Sequence, residues 1–324
     1  MNGTRKQNSL YARRASHAGS WYEDNPRSLS SAMDKFFGNV ALPPLHIQQL
    51  IAVVGPHAGL SYCGDTSAYG YSILRDYLLS PAGASVKRIF MLGPSHHKWM
   101  EGVEVGVHAT TYETPLGSIP IDNDMCSNIL QGCKTLKVSC DALDQHTDEE
   151  EHSLELHLPF IASILCNDKY RAMQPSLSNI KLVPIIVGGN AEQHSDEKMA
   201  GVLRPYLGHP ENIFVISTDF CHWGSRFRYV HHFEESKYPQ IGDAIEAMDR
   251  AAIAQLEKKD VKGWYSYLSS TKNTICGRRP VSMLFQGVAG QASAKVQFLH
   301  YSQSNRVQTK SDSSVSYASG IVYV

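Results

Sequence analysis

The sequence has no apolar run near the ~20 residues that a membrane-spanning helix needs, so no insertion into a bilayer is expected. Its N-terminus, MNGTRKQNSLYARRASHAGSWY, is basic but has no apolar core segment, which argues against a secretory leader. There is no surplus of either charge: 30 basic residues face 31 acidic ones, so neither a nucleic acid nor an anionic membrane is implied as partner. The seven cysteines, at 63, 126, 133, 140, 166, 221 and 276, form no C-x-x-C pair, which removes the zinc-ribbon and thioredoxin patterns. Reduced thiols in a cytoplasmic protein are the simplest reading, with the nucleus as a second location. Three further motifs are missing. Without G-x-S-x-G there is no hydrolase elbow, and without a P-loop or G-x-G-x-x-G no nucleotide cradle is expected. No Pro/Gly/Ser linker or internal repeat divides the chain, so one domain over 1–324 is expected, with 1–14 as a flexible tail.

Four short runs are nearly continuous in apolar residues: QLIAVV (49–54), RIFML (88–92), KLVPIIV (181–187) and NIFVIS (212–217). Strands covered on both faces have this pattern. Helical spacing falls between them, at 26–37, 154–166, 192–206, 240–257 and 260–270. VQFLHYSQS and VSYASGIVYV alternate instead, as antiparallel strands do. The expected fold is α/β, a three-layer α/β/α sandwich around a central mixed sheet. The segment 140–152, CDALDQHTDEEEH, reads as an acidic surface loop, 168–180 as a second excursion and RVQTKSDSSV as a polar loop.

Three of the predicted strands end alike. VVGPH delivers His57, MLGPSHH delivers His96 and His97, and VISTDFCHW delivers Asp219, Cys221 and His222. Ligands of open α/β sheets bind outside the carboxyl ends of strands. The Gly-Pro pairs fix the direction in which the chain leaves the sheet, because proline locks φ and restricts the residue before it. A single histidine there could merely cap a turn; the set points to a shared site. Neutral imidazole is the commonest side-chain metal ligand, and two imidazoles with one anion make an open transition-metal site. Asp219 and Cys276 are the candidate anions. Cys276 lies in NTICGRRP, where Arg278 and Arg279 would favour its thiolate, although on spacing alone it reads rather as an inert buried thiol. Both arginines also read as plain surface charge. In EEEHSLELHLPF, His152 and Glu155 would share a helix face and make local hydrogen bonds while His157 points away. His231 and His232 read as solvated. His97 would turn elsewhere if His96 faces a metal.

ASHAGSWY (15–22), GPHAGLSYCG (55–64), LGPSHH (92–97), DEEEHSLELHLPF (148–160), STDFCHWGSRFRY (217–229), NTICGRRP (273–280) and DSSVSYASG (312–320) together resemble the Memo proteins, the mediators of cell motility. The motifs run in the family's order from 15 to 320. The resemblance implies a fold like that of the class III extradiol ring-cleavage dioxygenases, which use non-haem Fe(II). It implies metal ligation by His57, His96 and Cys276, with Fe(II) or Cu as the ion and Zn as a further option. It gives Asp219 and His222 a ligand or acid/base role. Trp21, Tyr62 and Arg278 would line the pocket, where a phosphotyrosine-containing peptide or a small aromatic ligand would bind. The dioxygenases carry glutamate where this chain has Cys276, which argues against ring cleavage. Two functions follow: a redox-related metal protein linked to signalling or motility, or a phosphopeptide-binding module on a catalytically silent scaffold.

Overall fold

A computed structural model describes residues 10–42, 44–189, 193–231 and 237–324. Twelve strands occur in it: β1 (Tyr11–Arg13), β2 (Leu50–Gly55), β3 (Arg88–Pro94), β4 (Val103–Val105), β5 (Ala109–Thr114), β6 (Gly117–Pro120), β7 (Cys140–Ala142), β8 (Lys181–Val187), β9 (Asn212–Ser217), β10 (His222–Trp223), β11 (Lys295–Gln303) and β12 (Ser314–Tyr323). The helices are α1 (Pro26–Gly38), α2 (Leu60–Leu79), α3 (Asn123–Leu136), α4 (Gln145–Glu150), α5 (Leu158–Leu165), α6 (Asp168–Met173), α7 (Gln193–Leu203), α8 (Ile241–Glu257), α9 (Val261–Thr271) and α10 (Arg278–Val288).

The expected mixed sheet is present. Its order is β10-β12-β2-β9-β3-β8-β4-β7, with β11 paired to β12. Strands β2, β9, β3 and β8 are mutually parallel, and they are the four apolar runs. They are buried almost end to end, which is why their sequences do not alternate. β12 enters antiparallel beside β2, and β11 antiparallel beside β12, as the alternating C-terminal sequence predicts. Helices cover the sheet, and the buried residues form a continuous apolar cluster. A second, small sheet has the order β1-β5-β6.

Two expectations are corrected here. Residues 11–14 are not a flexible tail: Tyr11–Arg13 is strand, and Arg13 is completely buried. Residues 1–9 of that segment lie outside the described residues. Nor is 140–152 a surface loop. It forms β7 and α4, and Asp148, Glu149 and Glu151 are all buried. Arg13 is the physical reason. Its guanidinium reaches Asp148 Oδ1 at 3.0 Å and Glu155 Oε2 at 2.6 Å, and donates to the carbonyls of Asp148 and Glu151. Charge that reads as solvated in the sequence is thus neutralised across 135 residues of chain. The 168–180 excursion holds α6 and a 3-10 turn, Pro175–Asn179.

The longest helix, α2, has no counterpart among the expected elements. Its sequence, LSYCGDTSAYGYSILRDYLL, is diluted by glycine and serine. Gly64 shows why: a Cβ there would lie 2.3 Å from the Phe36 ring, so α1 packs on α2 only over a bare backbone.

Candidate metal centre

The strand-end residues do meet. His57 follows β2, His96 follows β3, and the 217–223 segment follows β9. Cys276 arrives separately, on the turn between α9 and α10. The ring centroids of His57 and His96 are 5.1 Å apart, and Cys276 Sγ is 3.2 Å from His57 Nε2. One donor atom from each of these residues lies within 4.8 Å of the others. Asp219, His222 and Cys276 form a second such group, so the thiol is common to both.

Each histidine is held through the same nitrogen. The Ser217 hydroxyl gives its one proton to the Ser153 carbonyl at 2.6 Å. It can therefore only accept from His57, whose Nδ1 is 2.6 Å away. Nδ1 of His57 carries the proton, and Nε2 presents its lone pair to Cys276. His96 Nδ1 sits 2.9 Å from Glu151 Oε1. His222 Nδ1 faces the carbonyls of Phe220 (3.0 Å) and Thr274 (3.2 Å). These partners accept only, so in all three rings Nδ1 carries a proton and Nε2 is the nitrogen left for the pocket. Outer partners of this kind set ring orientation and basicity in metal sites.

The electrostatics follow from burial. His57 is driven well below its ordinary value by burial first and then by the neighbouring imidazoles His96, His152, His157 and His222. Burial also acts against a charge on His96, but hydrogen bonds with Cys276 and Glu151 outweigh it and lift the ring to about 10. Burial disfavours the Glu151 carboxylate, yet the bond from His96 holds it down at about 2. Asp219 is buried and raised by that burial; its Oδ1 accepts the His57 backbone N–H at 2.9 Å. Cys276 is raised too, by burial first, with His96 pulling the other way. This corrects the expectation that Arg278 and Arg279 favour the thiolate. Arg279 is locked to Asp196 at 2.8 Å, and Arg278 donates to the Gly189 carbonyl at 3.0 Å. Arg278 faces a neighbouring cleft of about 500 Å³ with Lys272 and Thr274.

His152 is the residue that sequence reasoning misplaces. It does not stay in a local helix-start network. Its ring stacks on His96 (centroids 4.5 Å apart) and lies 4.4 Å from Trp21. Its Nδ1 is buried with no hydrogen-bond partner. His152 precedes the 3-10 turn Glu155–His157, so the helical spacing used to orient it does not apply. His17 joins the same wall, its Nδ1 2.8 Å from Glu155. Trp21 is 37% exposed at the pocket mouth, and Tyr62 stands exposed on the first turn of α2. His157 does turn from the pocket mouth, buried against the Tyr71 hydroxyl at 2.7 Å. His97 is exposed, its ring edge toward His152. His231 is exposed, and His232 lies outside the described residues. Among the described residues, no helix is long and apolar enough to cross a membrane.

The donor set fits a metal ion. Two imidazoles and one thiol converge from three segments, with both outer nitrogens already satisfied, and His222 stands beside the same thiol. Three protein ligands leave coordination positions open.

The chain is similar to known proteins over nearly its whole length. A family model described as "Memo-like protein" matches residues 13–321. "Protein memo-1 homolog" of Caenorhabditis elegans is 35% identical, covering 97% of this chain and 83% of that protein. A MEMO1 family protein of Saccharomyces cerevisiae is 36% identical over 96% of this chain and 99% of its own length. "Protein MEMO1" of Danio rerio is 34% identical over 98% and 99%. A solved structure of an uncharacterised Escherichia coli protein covers 83% of this chain and 99% of its own, with a TM-score of 0.48 and 12% identity. With the family model matched over nearly its whole length, the chain belongs to the Memo-like family.

Proposed function

We propose that this pocket is a metal centre in which His57 Nε2, His96 Nε2 and Cys276 Sγ hold Fe(II) or a copper ion, with zinc as a third candidate. The carrying observation is that each imidazole spends Nδ1–H on the protein, so Nε2 is the nitrogen left for the ion once His96 gives up its second proton. A thiolate beside two imidazoles suits Fe(II), Zn and copper better than hard cations such as Mg²⁺. Bound there, the ion supplies a Lewis-acid and redox centre for a small ligand.

The chain's own residues do the remainder. In the ion-free pocket Cys276 is held toward its neutral form and His96 toward its charged form, so loading must displace a proton from each. Metal affinity therefore rises with pH. His222 keeps Nε2 free next to Cys276 and can take or return a proton there. Asp219 fixes the His57 backbone and stands 4.0 Å from His57 Nε2. A redox role linked to signalling or motility is the reading that unites this chemistry with the family. Protein purified without chelator should carry close to one equivalent of metal, and His57→Ala should lose it. Metal content unchanged in that variant refutes the proposal.

A second reading has its own observation. Trp21, His152 and His96 form a partly exposed ring stack that offers a flat wall to an aromatic ligand. In this reading the scaffold is catalytically silent and binds phosphotyrosine in a peptide. Arg278, turned to Gly189, does not serve as its phosphate partner without moving. Titration with a phosphotyrosine peptide against its unphosphorylated form tests it; equal affinities exclude phosphate recognition.

A further inference from the structure

Behind the pocket lies a carboxylate that the proposed chemistry does not use. Asp249, on α8, is completely buried. Among the described residues, all its hydrogen-bond partners are neutral. Oδ1 accepts from Asn273 Nδ2 at 2.9 Å, and Oδ2 accepts from the Tyr301 hydroxyl at 2.9 Å. The Tyr301 hydroxyl in turn lies 3.0 Å from Ser316 Oγ, which carries the network on to β12. Arg250, next in the chain, pairs with Glu246 instead at 2.8 Å. A buried charge with no cation costs several kcal/mol, and such departures from packing rules concentrate at functional sites.

The partners lead to both walls of the pocket. Asn273 begins the turn that carries Cys276; its backbone N–H bonds to Thr271 Oγ1, and the Thr271 carbonyl accepts from Tyr229. Thr274 then clasps His222, accepting the His222 N–H at 2.8 Å and donating to its carbonyl at 3.0 Å. On the other side, Ser316 pairs by backbone with Phe220 and Cys221, the residues just before His222. One carboxylate thus ties the thiol's turn to the segment bearing Asp219 and His222.

We infer that Asp249 is a positioning residue, holding Cys276 and His222 at their mutual distance through Asn273 and, by way of Tyr301, Ser316. The inference deepens the metal-centre reading and rests on it for one of its two readouts. The carboxylate is needed because it accepts from several directions at once. An amide in its place accepts through one oxygen only and turns N–H groups toward another donor.

The test compares Asp249→Asn with wild type and with Ile129→Ala. The latter empties a buried position on α3, far from this network, and controls for general loss of stability. Two quantities are read. The first is cobalt(II) affinity and the thiolate-to-cobalt charge-transfer band. The second is the alkylation rate of Cys276 in ion-free protein, followed by peptide mass spectrometry. Asp249→Asn should weaken cobalt binding about tenfold, the lower end for outer-shell partners, shift the band and change alkylation several-fold. Ile129→Ala should change none of these while lowering the melting temperature. If wild type binds cobalt and Asp249→Asn matches it in affinity and band, the inference is overturned and the metal centre stands. If wild type shows no band, the metal reading fails. Alkylation then decides alone: an altered rate supports positioning, an unaltered one overturns it. Equal effects from Ile129→Ala also overturn it.

Discussion

Arg13→Met is the most informative single change, because it removes a charge on which two buried carboxylates depend. Asp148 and Glu155 each lose an ion pair, and the carbonyls of Asp148, Glu151 and Arg14 lose a donor. Breaking a buried pair from one side costs roughly 3–5 kcal/mol. The lower end applies here, since the surviving donors are good. Asp148 keeps the hydroxyls of Tyr11 and Tyr112, and Glu155 keeps His17 and Tyr22. At about 2 cal/mol/K of unfolding entropy per residue, a cost of about 3 kcal/mol lowers the melting temperature of this chain by roughly 4–5 °C. Acid should shrink the difference. The folded Glu155 titrates at about 2, held down by His17 and Arg13 against the effect of burial. Its stabilisation is thus present above the ordinary glutamate range and is lost as pH falls toward 2. In the variant Glu155 takes a proton more readily, so urea unfolding at pH 7 and pH 4 should show the gap narrowing at pH 4. A variant within 1 kcal/mol of wild type at pH 7 refutes the reasoning that Arg13 balances this cluster.

Three other outcomes are expected. Glu151→Gln places an amide N–H against one of the donors of His96 and Ser153, so metal affinity measured by chelator competition should drop 10–100-fold. His157 is buried and titrates at about 3 because of that burial, so it stays neutral in the folded chain while the unfolded chain takes up a proton below about pH 6.5. Stability should accordingly decline from pH 6.5 toward 3, and His157→Gln should make the slope of unfolding free energy shallower by up to about 1.4 kcal/mol per pH unit. Gly277→Ala puts a Cβ 2.2 Å from the Ser217 carbonyl oxygen and 2.4 Å from Thr218 Cβ, which forces the Cys276 turn outward. Calorimetry should register about 1–3 kcal/mol of destabilisation, as for other overpacked sites.

Much of the architecture was readable because the central strands are buried on both faces and say so in unbroken apolar runs. The strand-end imidazoles were readable for a related reason: Gly-Pro pairs mark where those strands stop. What escaped depends on partners far away in sequence. Residues 140–152 look like a surface loop until Arg13 is seen against Asp148 and Glu151. α2 gives no clear helical signal until Phe36 explains Gly64. Helical spacing gives His152 one direction, and the chain there makes a 3-10 turn instead. For Cys276 the preferred reading from spacing, a buried thiol, agrees with the structure; the two arginines beside it in sequence point to Asp196 and Gly189 in space, leaving burial to govern the thiol.

The place of β12 has a consequence for biosynthesis. It runs between β2 and β11, and its Ser316 braces the Phe220–Cys221 step. A growing polypeptide therefore cannot finish the central sheet until the ten residues of β12 have emerged. Cys276, made earlier, waits in an unfinished shell as an accessible thiol. Newly made chains should be at their most oxidisable in that interval, and quick docking of β12 is their protection.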